Sequence, residues 1–414
     1  MMIRLYVAVV LAGGFSGPVH AAGHENVVVV GGNGANCLED SQCINRLHPA
    51  IEMAAYADPG QTIIFHTRNA SDFTLDPSDT RPDPRKKGPR ASTVHPLTGP
   101  VGINGAMPGD VVAVTIERID PGAFGYSQIG SIGLVSDQIK GPLRVSWTLN
   151  RAYAQSESIP GVRIPNASFP GVVTVLPGAE ELRKVLKREA ALRDAGGMVF
   201  GPEPINASPA ALCGERGSKK QDCLRTIPPR EFGGNLDIRF LGVGATLYLP
   251  CRVVGCGLAI GDVHFAQGDG EVAGTAIEMD ATVTVTTRLI KDGAGEIQTP
   301  HYEGPARLLA LPSRRFYAIT GFPLKEEGAL PPRMAYLQSP RAAELENLSR
   351  DLSLAARNAL LAMIDHISHT YNLTPEQAYI VASVAVDLRI GQVVDAPNVE
   401  VSAVLPLDIF IDQE

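Results

Sequence analysis

The stretch Ala281-Thr282-Val283-Thr284-Val285-Thr286-Thr287 alternates apolar and polar side chains. A period of two sends one set of side chains into a core and the other toward water, the pattern of a half-buried antiparallel strand. The alternating run extends over residues 281–289, and short β-rich runs recur at residues 61–65, 111–116, 171–176, 245–249 and 399–405. Between them fall most of the 42 glycines and 32 prolines. One such break, Pro108-Gly109-Asp110, stands directly before residues 111–116 as a strand-launching turn. Many short strands between turns predict a mainly β chain, with a β-sandwich-like domain over residues 23–300. Helical segments interrupt this pattern. Residues 180–195 are charged and stop at Gly196-Gly197. Leu352, Ala356, Leu360, Met363 and Ile367 recur at helical spacing as a core-facing stripe. Thr374-Pro375-Glu376-Gln377 then supplies an N-cap, a first-position proline and a capping-box glutamine for a largely buried helix reaching about Val386. These elements predict a smaller C-terminal α/β part over residues 301–414, while residues 197–230, rich in Pro, Gly and Lys, read as a surface insertion.

The start of the chain reads as an address. Arg4 is a positive n-region, residues 5–15 a short apolar h-region and Val19-His20-Ala21 a small-residue cleavage site. The expectation is a leader over residues 1–22, removed on export to a periplasmic or secreted location; the alternative is an uncleaved N-terminal anchor. The apolar run is too short to span a bilayer. Without the leader, 35 basic residues face 44 acidic ones, a net charge of −9. That balance argues against nucleic acid or an anionic membrane surface as partner, since both reward basic patches. The six cysteines fall as local pairs, Cys37 with Cys43, Cys213 with Cys223 and Cys251 with Cys256, which in an exported chain favours disulfides over thiolate metal ligands.

The densest chemistry lies in Gly261-Asp262-Val263-His264-Phe265-Ala266-Gln267-Gly268-Asp269-Gly270-Glu271, followed by Glu278. Side chains that bind metals or move protons are spaced here by glycines, which let the backbone turn left-handed and let a ligand come close. Gly233-Gly234-Asn235-Leu236-Asp237 is a second such cluster upstream.

These two clusters occur in order with further phrases: Phe65-His66-Thr67-Arg68-Asn69-Ala70, His95-Pro96-Leu97-Thr98-Gly99-Pro100-Val101 and Gly105-Ala106-Met107-Pro108-Gly109-Asp110. Toward the end come Ala378-Tyr379, Asp387-Leu388-Arg389-Ile390 and Val393-Val394-Asp395. From about residue 48 to 411 the chain resembles the acetamidase/formamidase family of amide hydrolases. The resemblance implies a β-sandwich joined to a smaller α+β portion. It also implies hydrolysis of short linear carboxamides to carboxylate and ammonia, a divalent metal such as zinc, and a homo-oligomer. The chain departs from the family pattern in its leader, its cysteine pairs and Phe232 before Gly233-Gly234-Asn235.

Amide hydrolysis needs an activated nucleophile, an oxyanion stabiliser and an acid for the departing nitrogen. The chain has no G-x-S-x-G elbow, and a metal-activated water fits the residues better. His264 is the leading ligand, two positions after Asp262, so that on an extended strand both point to one face. Asp237 and Asp262 are candidate ligands or turn-capping aspartates. Glu271 is the candidate proton shuttle, and Glu278 a further ligand or an orienter of the histidine. Asn235 and Gln267 carry amide donors suited to an oxyanion or to the substrate, or to their own loops.

Weaker patterns read as structure. His366 and His369 suit a solvated helix face, and residues 81–90 an exposed basic loop. Val27-Val28-Val29-Val30-Gly31-Gly32-Asn33-Gly34 lacks the third glycine of a dinucleotide fingerprint. His66 and His95 receive no role. A competing class is a secreted β-sandwich binding module whose acidic loop holds calcium, and a lactam-hydrolysing relative is a variant of the enzyme reading. His264 discriminates, because calcium takes oxygen ligands.

Overall fold

The computed structural model describes residues 27–73, 75–76, 90–129, 132–139, 141–325, 330–394 and 397–411. The expected leader lies outside them, as do residues 81–89 of the basic loop.

The chain is mainly β, as its alternation predicts. Strands Arg144–Leu149, Val111–Gln128, Glu278–Ile290, Leu258–His264, Phe169–Thr174 and Gly233–Asn235 lie side by side in that order within a sixteen-stranded sheet. Along Glu278–Ile290, Val283 and Val285 are buried while Thr282 and Thr284 are partly exposed, so the period of two sets which face meets the core. Trp147, Phe65, Phe169, Phe232 and Phe265 anchor that core. The strand beginning at Val111 runs on to Gln128, well past the apolar run of residues 111–116. Pairing on Glu278–Ile290 continues along the whole strand, with register shifts near Pro121 and Ile116 absorbing irregular positions.

A separate antiparallel sheet has Glu400–Pro406 between Phe316–Gly321 and Asp387–Gln392. Helix Leu352–Tyr371 packs on it, capped by Asp351, whose side chain accepts from the Leu354 N–H. The next helix, Pro375–Ala385, begins with the expected reciprocal capping box between Thr374 and Gln377. Its Ala378 to Ala382 side chains are all buried. Helix Ala179–Asp194 ends just before Gly196, in agreement with its stop. Among the described residues no helix is long and apolar enough to cross a membrane.

The three cysteine pairs form as spaced: Cys37–Cys43, Cys213–Cys223 and Cys251–Cys256. Residues 197–230 are more than a surface excursion. Leu224–Arg225 pairs with Arg46–Leu47, Asn45 bonds the Asn206 carbonyl and the Ser208 N–H, and the Thr226 hydroxyl accepts from the His95 N–H at 2.6 Å. Sequence composition reports polarity, and these bonds are to polar groups that composition cannot place.

Candidate active site

Four neighbouring strands bring the polar clusters together. His264 ends strand Leu258–His264, facing Glu278 across one ladder and Phe169 across the other. Asn235 ends strand Gly233–Asn235 and pairs with Val172 on strand Phe169–Thr174. Asp237 follows it. Asp262 and His264 do meet on one side, but not through regular strand alternation. Asp262 has φ +53°, Asp237 +49° and Glu271 +43°, so three of the acids sit in the left-handed region. For residues with a Cβ that backbone costs about 1–3 kcal/mol each and persists where the surroundings over-determine it.

The side chains converge. Single ligand atoms of Asp237, Asp262 and His264 all lie within 4.8 Å of one another, and so do those of His264, Glu271 and Glu278. His264 Nε2 is 3.2 Å from Glu278 Oε2 and 3.5 Å from Asp262 Oδ2. On the other side of the ring, Nδ1 is 2.8 Å from Gln267 Oε1. Gln267 Nε2 donates to the Asp237 carbonyl at 2.9 Å, which orients its amide oxygen toward the histidine. Nδ1 therefore carries a proton, and Nε2 is turned toward two carboxylates. Asn235 Nδ2 donates to Asp237 Oδ2 at 2.6 Å, leaving Oδ1 turned elsewhere. His264, Asp262 and Glu278 are buried, whereas Asn235, Asp237 and Glu271 are partly exposed and form the open side.

Residues 34–412 match the acetamidase/formamidase family. The chain belongs to this family. It is 31% identical to the formamidase of Methylophilus methylotrophus over 399 residues, 90% of each protein. It is 29% identical to the acetamidase of Mycolicibacterium smegmatis, covering 81% of this chain and 84% of the relative. Among solved structures, a gamma lactamase from Delftia acidovorans superposes with a TM-score of 0.79 at 29% identity, covering 91% of both chains. This member of the family is an amide hydrolase.

Among the described residues of the cluster, four carboxylates surround one imidazole. Burial pushes Asp237 up to about 8, from 3.8, with the charges of Asp262 and Glu278 adding to it. Burial likewise raises Glu278 to about 7 and Glu271 well above the usual carboxylate range. Burial opposes ionisation of Asp262 too, but His95 and His264 overcome it and hold that carboxylate low. Desolvation works against a charged His264, and Glu278 and Asp262 outweigh it, raising its pKa. Buried oxygens and nitrogens normally find partners. Here, among the described residues, Asp237 Oδ1, Asp262 Oδ1, Glu278 Oε2, Asn235 Oδ1 and His264 Nε2 make no hydrogen bond. One imidazole among carboxylates is a donor set that suits a zinc-like divalent cation, and its unpartnered lone pairs fit such an ion.

The family member's site also contains residues to which sequence reasoning gave no role. His95 Nε2 approaches Asp262 Oδ2 at 3.7 Å, and its buried Nδ1 is unpartnered. A Cβ at Gly171 would lie 2.7 Å from Asp237 Oδ1 and 2.8 Å from His264 Cε1, so only glycine leaves room for both. The family-like phrase around His95 was the available clue to the first; nothing local marked the second. His66 lies elsewhere, exposed, with Nδ1 3.1 Å from Thr282 Oγ1. His366 stacks on Tyr317 and His369 is exposed beside Asp365, consistent with a solvated helix face. Gln267, expected either as an oxyanion or substrate donor or as a partner of local backbone, has both ends of its amide engaged with His264 and the Asp237 carbonyl.

Proposed function

We propose that this amide hydrolase cleaves the C–N bond of small linear carboxamides of the formamide and acetamide type at a divalent-metal site, with zinc as the resident ion. The observation that carries the reading is His264 surrounded by Asp237, Asp262, Glu271 and Glu278 with buried, unpartnered donor atoms. Asp237, Asp262, His264 and Glu278 would hold the ion. A bound divalent cation supplies a Lewis acid that polarises the amide carbonyl and acidifies water. Gln267 keeps the His264 Nε2 lone pair facing the acids, a positioning role. Glu271, at the open side with its pKa raised by burial, takes a proton from the attacking water and returns it to the departing nitrogen. Asn235 is anchored through Nδ2, so its Oδ1 is free to accept from the N–H of a primary carboxamide.

The decisive experiment is ammonia release from formamide, acetamide and propionamide by full-length protein, metal-stripped and zinc-reloaded. Zinc-dependent ammonia release is expected. A second reading, ring opening of γ-lactams, follows from the likeness to the Delftia acidovorans gamma lactamase. Ring opening yields an amino acid rather than ammonia, so the same samples are assayed for new primary amine. Amine without ammonia would replace the first reading with the second. Neither product, with calcium raising the melting temperature, would replace both with a binding module. We further propose export to an oxidising compartment, supported by the three disulfides. Homo-oligomer formation is supported by exposed Phe316, Tyr317, Tyr336 and Leu337 and is read by mass in solution.

A further inference from the structure

Glu271 sits on a loop whose shape is not dictated by its own hydrogen bonds alone. Within the loop, the Glu271 N–H donates to Gly268 O at 3.1 Å and the Gly274 N–H to Glu271 O at 2.8 Å. The Leu134 N–H also donates to Val272 O at 2.8 Å, and further ties come from the C-terminal helix and strand. The Gly268 N–H donates to Ser383 O at 3.0 Å, and the Ala273 N–H donates to Ser383 Oγ at 3.0 Å, while that hydroxyl donates to Thr275 O at 2.7 Å. The Tyr379 hydroxyl donates to Val272 O. A Cβ at Gly268 would collide with the Val386 carbonyl, so the two backbones touch.

Asp387 adds a tie at Asp269, two residues before Glu271. Its Oδ1 accepts from the Asp269 N–H at 3.1 Å, and the Leu388 N–H donates back to Asp269 O at 3.0 Å. Its Oδ2 accepts from Arg239 Nη2 at 3.0 Å and Arg389 Nη2 at 2.8 Å. Arg239 also reaches Asp269 Oδ1 at 3.3 Å, and stands two residues after Asp237. Asp387 is 1% exposed, so these bonds are made out of water, where each is stronger and its loss costlier. One buried carboxylate thus fastens the loop carrying Glu271 to the segment carrying Asp237. A left-handed glutamate is a conformation that needs such outside support.

We infer that Asp387 is a positioning residue for the reaction: through the Asp269 backbone and the Arg239 guanidinium it holds Glu271 against the donor cluster. The inference rests on the reading of Glu271 as the proton carrier. The C-terminal elements are then part of the catalytic apparatus rather than a packed appendage.

The test uses zinc-loaded full-length protein carrying Asp387→Asn, Glu271→Gln or both. Asp387→Asn should lower kcat by about 10- to 100-fold, the range typical of partners that orient a site. KM and zinc content should hold. Backbone hydrogen exchange should quicken over residues 268–274 but not over Leu258–His264. The double variant should be no slower than Glu271→Gln alone, since residues acting as a unit are not additive. A kcat within about twofold of the parent for Asp387→Asn, while Glu271→Gln is strongly impaired, overturns the positioning role and leaves the proton-carrier reading standing. Multiplying losses in the double variant also overturn it. Full activity of Glu271→Gln sinks the proton-carrier reading itself, and the inference with it. Should Asp387→Asn fail to fold, Arg239→Lys breaks the same tie and is read in the same way.

Discussion

Glu278 and Asp280 stand two residues apart on one strand and serve acidic clusters of opposite character. Asp280 Oδ1 accepts from the Asn69 N–H at 2.7 Å and from Asn69 Nδ2 at 3.0 Å. Nearby, Asp72 Oδ2 accepts from the Cys37 N–H at 2.8 Å, and Arg68 lies 3.3 Å from Asp40 and 3.8 Å from Asp72. Asp72 and Asp280 border a polar cavity of about 520 Å³ that Arg68 also lines. There each carboxylate has an amide or guanidinium of its own. Around Glu278 the opposite holds: Asp237, Asp262 and Glu278 each leave an oxygen unpartnered. The contrast teaches that buried acid is not itself a sign of function. Acid whose lone pairs the protein leaves open is.

The largest effect that could break this contrast is expected at His264. Replacing it with alanine should cost more than about 100-fold in kcat/KM, beyond what an outer partner of a site costs, and should lower bound zinc measured by metal analysis. Near-parental turnover with full metal content would mean that the open lone pairs serve something else.

The pH dependence of stability separates the clusters next. A carboxyl whose folded pKa exceeds its unfolded value takes up a proton on folding, so its contribution is lost as pH rises between the two values. Burial raises Asp237 from 3.8 to about 8 and Glu278 from 4.5 to about 7. Burial raises Asp72 from 3.8 only to about 6. The metal-stripped protein should therefore lose several degrees of melting temperature as pH rises from 3.8 toward about 8. Saturating zinc should abolish the part above pH 6 and leave the Asp72 part below it. Equal slopes with and without zinc would erase the distinction between the clusters.

A smaller change is expected from Gly171→Ala. The added methyl meets Asp237 and His264, so about 1–3 kcal/mol of stability should be lost by denaturant titration, with weaker zinc binding. Unchanged zinc affinity would show that the floor of the site can yield. The smallest is Asp280→Asn, where one acceptor is retained: about 1 kcal/mol in stability and parental turnover. Loss of turnover there, with the fold intact, would join the two clusters into one site.

Much of this was legible along the chain. The alternation at residues 281–287, the capping box at Thr374 and the glycine stop after residue 195 are signals read within a turn or two of themselves, and each produced its element. The ligand-rich phrase from Asp262 to Glu278 was legible for the same reason, because its residues come to the site from two adjacent strands and the loop between them. The expected geometry within it was less so. Asp262 and His264 do meet, but Asp262 is left-handed, and no spacing rule encodes that.

By itself, the sequence determined the mainly β class, the bounds of helices Ala179–Asp194 and Pro375–Ala385, the cysteine pairs and a set of residue types suited to amide chemistry. All of these follow from periodicity, capping or short-range spacing, which depend on near neighbours. Only the tertiary structure decided that His95 reaches Asp262, that Gly171 must lack a side chain, and that Asp387 braces the loop of Glu271. It also decided which buried acids find partners and which do not. Those outcomes depend on strand register and on what packs over a carboxylate, and residues far apart along the chain set both.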